Sequence, residues 1–414
     1  MSFLHSKRPE AHEVFTPGRV PLAKNNIYVP RPAAEGALLR CVQRHWVPVV
    51  FGEFGVGKTT LVLRYFQDVK EDGRLVFISS AEALTMARVF EVCLDHLNYS
   101  VEVESSSAQS VDANAGVNFG FVKAEAGGTL TDERRRRLVI SSPTDTAVIS
   151  VLSEAKLVLV IDEMHRATDS FRTELVNFIK ATRAGAEGFN LVLIGTSLDA
   201  KLLVASDEGI NRYIQETRVS VMTADEARTI VDQGFEKLKL RIADELADRL
   251  VRASVGAPTI VQELCLDSAE SALEESRDEV LESDISKAVS RYLDQHEARM
   301  SSRYYSAIET QGQKRYRKRI LHAMATLESD YATMEDIRDA VSVALGESVP
   351  STALSGPLRD LKEEDYGRIL QGVDRVISGE VIQNLSTFTD PMMKSFVRFM
   401  GNLDTTGLGT PGAR

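Results

Sequence analysis

Residues 52–59 read Gly52-Glu53-Phe54-Gly55-Val56-Gly57-Lys58-Thr59, and Thr60 opens a helix-forming stretch that runs to Phe66. The apolar residues Val47, Val49, Val50 and Phe51 stand directly before it. A strand, a glycine-rich turn and a helix start in that order make this spacing a phosphate cradle. Glycines let backbone N–H groups curl around a polyphosphate, and the helix start adds its partial positive charge. Lys58 is placed to reach the β- and γ-phosphates, and the Thr59 hydroxyl to ligate Mg²⁺. The expected nucleotide contacts are therefore Gly52, Glu53, Phe54, Gly55, Val56, Gly57, Lys58, Thr59 and Thr60.

Outward from this loop, Leu157-Val158-Leu159-Val160-Ile161 is a continuous apolar run. Such runs mark strands buried on both faces of a parallel sheet. The run ends in Asp162 and Glu163, and open α/β sheets bind ligands at strand C-termini. Asp162 can hold Mg²⁺ through water, and Glu163 can polarise the attacking water as general base. Thr196 and Ser197 follow the next strand, at the same sheet edge. A hydroxyl there serves either to orient water near the γ-phosphate or to cap the helix that follows.

Strands and helices alternate from residue 31 to 222, which predicts an α/β layer fold built on a P-loop parallel sheet. Expected helices at 32–45, 81–97, 144–154, 169–184 and 198–204 separate the strands, and Val219 to Met222 is expected to close the sheet. Residues 100–145 interrupt the pattern with Ser, Gly, Ala and Asn and end in Arg134 to Arg137. They predict an inserted hairpin or mobile loop. Residues 1–30 form an extended lead-in that wraps a later domain. Thr223 to Glu226 is a capping box. It opens an all-helical module at 223–298, with helices expected near 224–238, 242–254, 258–275 and 282–297. Residues 299–400 predict helices at 302–327, 333–344 and 351–363 and a strand-like Arg368 to Val376, the pattern of a winged helix. A flexible tail is expected at 401–414.

The net charge of −11 argues against a protein that coats nucleic acid over its whole surface. No stretch approaches the length of an uncharged membrane span. Met1 to Glu10 lacks the apolar core of a signal peptide. Cys41, Cys93 and Cys265 are far apart with no metal spacing, which fits buried thiols in a cytoplasmic protein.

The ensemble resembles the AAA+ and STAND branch of P-loop ATPases, including its origin-recognition-like and archaeal members. The likeness rests on the G-E-F-G-V-G-K-T loop, the Walker B run L-V-L-V-I-D-E, the N-L-V-L-I-G-T strand and a helical lid, and it covers residues 15–400. It implies a parallel sheet, a lid and a C-terminal winged helix. It implies that Tyr28, Val29 and Arg31, in I-Y-V-P-R, lie by the adenine. The S-V-G-A-P-T segment, Ser254 to Thr259, resembles the lid signature whose proline packs near the base, here Pro258. Thr259 stands where many relatives carry a sensor arginine. In such relatives the region of Gly209 to Arg218 supplies an arginine finger to a neighbouring subunit. Arg212 is the first choice here and Arg218 the second.

The resemblance implies Mg²⁺-dependent ATP hydrolysis and ATP-driven homo-oligomer assembly that recruits or remodels a protein partner. A DNA-binding ATP switch with slow turnover, as in transposition, origin or defence regulation, is the alternative, and an ADP-held STAND sensor is a third. Lys314 to Arg319 and Arg134 to Arg137 are the basic windows that could meet phosphates. The region 351–364 carries more acid than base, which is poor for reading a DNA groove. A guanine-specific G protein is disfavoured, because no N-K-x-D segment occurs.

Overall fold

The structure, a computed structural model, describes residues 8–80, 84–101, 138–140, 145–182, 188–196, 208–296, 298–309, 316–327, 329, 331–377 and 380–406. Most of the expected insert with Arg134 to Arg137, Ser197, the helix expected at 198–204, Lys314, Arg315 and the end of the tail lie outside the described residues. The chain divides into two compact units. One comprises Arg31–Phe51 and Leu61–Arg218; the other comprises Met1–Pro30, Gly52–Thr60 and Val219–Arg414.

The first unit is built on strands β1 (Val47–Phe51), β2 (Leu75–Ser79), β5 (Val158–Asp162), β6 (Asn190–Gly195) and β7 (Ile214–Arg218). They form one sheet in the order β2-β5-β6-β1-β7, and every pairing in it is parallel. All five residues of β5 are buried, as the unbroken apolar run requires. The register sets Ser79 opposite Asp162, Phe51 opposite Gly195 and Phe51 opposite Arg218. The C-terminal ends of all the strands therefore meet along one edge. Helices Pro32–Gln43, Met86–His96, Asp145–Glu154 and Asp169–Thr182 fall where the periodicity predicts them. The apolar faces of the last three supply Leu94, Leu152, Phe171 and Phe178 to the core against the sheet. Two short strands, β3 (Tyr99–Val101) and β4 (Leu138–Ile140), flank the insert and pair parallel.

The closing strand is not Val219 to Met222 but β7, Ile214–Arg218. Its buried-exposed-exposed-buried-exposed pattern belongs to a sheet edge and carries too little apolar periodicity to read. Arg218 therefore ends a strand and does not precede one.

In the second unit, Thr223 caps helix Ala224–Lys237 with the predicted box, its hydroxyl accepting from the Glu226 N–H and the Glu226 carboxylate accepting in return. Helices Asp244–Ala253, Pro258–Glu274 and Glu282–His296 follow, with the two-residue pair β8 (Arg241–Ile242) and β9 (Glu279–Val280). The lead-in packs onto this module. Phe15 sits edge-on to Phe235 at 5.5 Å, the Thr16 N–H donates to Gln262 at 2.7 Å, and Lys237 Nζ donates to the carbonyls of Asn25 and Asn26.

Helices Ala298–Ile308 and Tyr316–Thr326 replace the single helix expected at 302–327. After them come Met334–Leu345, Ser351–Asp360 and the antiparallel hairpin β10 (Leu370–Ile377) and β11 (Glu380–Phe388). An antiparallel bridge joins Ala332 to Ser386. Helix, short strand, two helices and a two-stranded wing make a winged helix. Helix Pro391–Thr406 follows it, runs past the expected start of the tail, and has no counterpart in the sequence reading. No helix among the described residues is long and apolar enough to cross a membrane.

Candidate functional site

The chain leaves β1 into the loop Gly52 to Gly57 and enters helix Lys58–Tyr65. Gly55 and Gly57 take φ of +76° and +91°, where a Cβ is strained. A Cβ on Gly52 would stand 2.2 Å from the Val219 carbonyl oxygen, so only glycine fits there. Lys58 Nζ donates to the carbonyls of Gly52 and Glu53, at 3.1 and 2.7 Å. The ammonium is thus folded back onto carbonyls of the loop itself. A tight glycine loop, a lysine above it and an eight-residue helix behind it fit a polyphosphate.

The start of helix Pro258–Glu274 closes on this loop. A Cβ on Gly57 would meet Pro258 Cγ at 3.5 Å, and the Thr259 hydroxyl lies 3.4 Å from the Gly55 carbonyl. Pro258, at the first helical position, is therefore beside the phosphate loop. Val29 is buried in the core that the lead-in shares with the helical module, and Tyr28 is half-buried. Arg31 caps helix Pro32–Gln43 in the other unit, its N–H donating to Glu35 at 3.2 Å.

A residue of the loop itself has partners that the motif does not foretell. The Glu53 carboxylate receives Arg398 through two nitrogens, at 2.5 and 2.9 Å, and lies 3.4 Å from Lys394 Nζ. Both cations come from helix Pro391–Thr406. No sequence pattern could have joined residues 345 apart.

At the sheet edge of the first unit, Asp162 ends β5 with its side chain largely buried, and its Oδ1 accepts the Glu163 N–H at 2.6 Å. Glu163 lies in the left-handed region at φ 56°, a strained place for a side chain. The turn lifts its carboxylate off the strand direction toward Ser79 and Arg166. The Ser79 hydroxyl donates to Oε2 at 2.7 Å and Arg166 at 3.2 Å. The Ser79 hydrogen bond, with help from Arg166, holds the Glu163 carboxyl below its ordinary range although burial pushes the other way. Glu163 is thus ionised near neutrality and equipped to polarise a water. Thr196 is buried just beyond β6, at the same edge.

Ser79 is the site residue that motif reading missed. Its signal was present: β2 ends in a hydroxyl, and parallel register carries that end to the Asp162 position.

Arg212 and Arg218 sit at opposite ends of β7. Arg218 is at the C-terminal edge. Arg212 closes the 3-10 turn Glu208–Arg212 at the N-terminal end, exposed, with its guanidinium 5.5 Å over the Tyr213 ring. A five-residue strand, roughly 17 Å, separates that position from the edge holding Asp162.

The basic window is less basic at its surface than in its sequence. Arg317 is buried, hydrogen-bonded to Asp360 at 3.1 Å and to the Glu309 carbonyl, and stacked over Tyr366 at 4.3 Å. It holds the winged helix together.

Residues 43–204 match a family model described as an AAA domain. The match covers less than half of the chain; the glycine loop and the acidic end of β5 fall inside it, and the segment is similar to AAA domains. Among solved structures the chain is similar to the Walker-type ATPase PABY2304 of Pyrococcus abyssi, at 15% identity over 90% of this chain and 96% of that one, with a TM-score of 0.51. It is similar to the ADP form of the Aeropyrum pernix ORC2 protein, at 14% identity over 96% and 99%, with a TM-score of 0.50. Cdc6p from Pyrobaculum aerophilum matches at 15% identity over 96% and 99%, with a TM-score of 0.48. The first two likenesses carry the fold. No curated protein sequence matches the chain.

Proposed function

We propose that the chain binds ATP with Mg²⁺ on Gly52 to Thr60 and hydrolyses it, and that nucleotide state controls self-assembly and the recruitment or remodelling of a protein partner. The observation that carries this reading is the end of β5. There a buried Asp162 and a lifted, ionised Glu163 stand at the sheet edge where the fold binds ligands. Lys58 holds the β- and γ-phosphates, and Thr59 and Asp162 hold Mg²⁺. The metal, when bound, supplies charge neutralisation on the phosphates. Glu163 takes the proton of the attacking water, and Thr196 orients that water. Tyr28, Val29, Arg31 and Pro258 border the base. Arg212, which precedes β7 at the end away from this edge, acts in this reading as a finger toward a neighbouring copy, with Arg218 the second choice, and so ties turnover to assembly.

Steady-state hydrolysis tests the reading. Glu163→Gln is expected to lower kcat by about 10²-fold or more while nucleotide affinity stays. A parent-like rate in that protein removes Glu163 from the role.

The alternative, a DNA-binding ATP switch, draws on the winged helix. It loses Arg317 as a phosphate contact because that side chain is buried. DNA binding titrated from low to high salt separates the two: no affinity at low salt, with or without ATP, removes this reading.

A further inference from the structure

The Glu53–Arg398–Lys394 cluster joins the phosphate loop to the last helix of the chain. Glu53 is a member of the glycine loop, and its own carbonyl holds Lys58 Nζ at 2.7 Å. A carboxylate in a loop built for polyphosphate is an electrostatic liability, because like charges close together repel. Here it is covered. Arg398 grips it with both terminal nitrogens, and Lys394 lies 3.4 Å from Oε1. The Glu53, Arg398 and Lys394 side chains are only 17, 15 and 5% exposed, so solvent screens them little. Two cations on one carboxylate leave a local surplus of one positive charge beside the loop. The cations are themselves fixed. Arg398 Nε donates to the Ala325 carbonyl, Lys394 Nζ donates to the Ser329 carbonyl at 3.1 Å, and Asn402 on the same helix donates to the Arg252 carbonyl at 2.7 Å. The helix Pro391–Thr406 is thus pinned to the winged helix, to the helical module and to the phosphate loop.

We propose that Arg398 and Lys394 are positioning residues of the nucleotide site: by neutralising Glu53 they let the loop accept polyphosphate, so that nucleotide binding and docking of the C-terminal helix reinforce each other. This rests on the reading that the loop binds nucleotide. An anion in the loop is attracted to the cation pair and strengthens the docked arrangement. A helix that is docked keeps Glu53 covered and strengthens anion binding. Linkage makes the two effects equal. The last helix is then a reporter of loop occupancy, built from a different part of the chain than the lid.

Two measurements on the full chain test this, with the β,γ-imido analogue of ATP and Mg²⁺ as the probe. Arg398→Gln is expected to weaken analogue binding about tenfold or more, within the usual range of coupling between linked sites. Arg398→Lys, which keeps the charge, is expected to bind more tightly than Arg398→Gln, and the Glu53→Gln/Arg398→Gln double variant, which removes both charges, is expected to recover part of the loss. A purely structural role for Arg398 predicts no such recovery. In the parent, hydrogen exchange of the amides in 391–406 is expected to slow about tenfold when the analogue binds, with no such slowing in Arg398→Gln. If Arg398→Gln does not fold, the exchange measurement on the parent decides. Bound analogue with unchanged exchange in 391–406 overturns the proposal and leaves nucleotide binding intact. Undiminished affinity in folded Arg398→Gln also overturns it. A parent that binds no analogue overturns both readings together.

Discussion

The Ser79 hydroxyl donates to Glu163 Oε2 at 2.7 Å, joining the end of β2 to the first residue beyond β5. The bond is the leading cause that lowers the Glu163 carboxyl from its ordinary value. It also fixes a side chain whose backbone is already held in the left-handed region. The Glu163 carboxylate is therefore tuned and aimed by a neighbour outside its own motif.

Ser79→Ala is expected to raise the Glu163 carboxyl toward its ordinary value. A base works only when deprotonated, so activity is lost as pH falls through its pKa. The acidic limb of the kcat/KM profile should move to higher pH in Ser79→Ala. A limb that stays in place contradicts the assignment of that limb to Glu163.

The lead-in is predicted to be part of the helical module's core. Gly234 faces Phe15 so closely that a Cβ would stand 2.1 Å from two ring carbons. Gly234→Ala should destabilise by about 1–3 kcal/mol, as overpacking does. Combining it with Phe15→Ala should cost less than the sum of the two, with coupling of roughly 0.5–3 kcal/mol between contacting residues. Additive losses in chemical denaturation would contradict the packing.

Asp284 makes the helical module sensitive to acid. Its side chain is fully buried, which alone would push the carboxyl up from its ordinary 3.8. Two hydrogen bonds from Arg277, with the Leu281 N–H and the Ser271 hydroxyl, outweigh burial and hold it at about 2. A carboxyl lowered by folding stabilises the native state above its unfolded pKa. The contribution is full above about pH 4 and disappears as pH falls toward 2. Thermal melts across that window should show a steeper loss in the parent than in Asp284→Asn; equal slopes would contradict the account.

The sheet and the place of Asp162 and Glu163 at its edge were legible because the strands carry local periodicity. The five-residue apolar run of β5 and the glycine spacing at 52–57 need no distant partner to be read. The helical module was legible for the same reason, down to the Thr223 cap. What escaped reading depends on contacts between remote residues. β7 is an edge strand whose exposed Gln215 and Glu216 hide it. Helix Pro391–Thr406 buries Lys394 and half-buries Arg398, so its charged positions blur the apolar stripe. Arg317 reads as a surface cation until Tyr366 and Asp360 are brought over it. Charge in a sequence does not say which side of a helix faces water.

The central claim is that Lys58 and its glycine loop bind a nucleoside triphosphate. Calorimetric titration of the full chain with the β,γ-imido analogue of ATP and Mg²⁺ tests it most directly, alongside Lys58→Ala. The account predicts saturable binding at one site per chain, weakened about 30-fold or more in Lys58→Ala, the scale of losing one partner of a desolvated charge pair. No saturable binding by the parent, or equal affinity in Lys58→Ala, would contradict it.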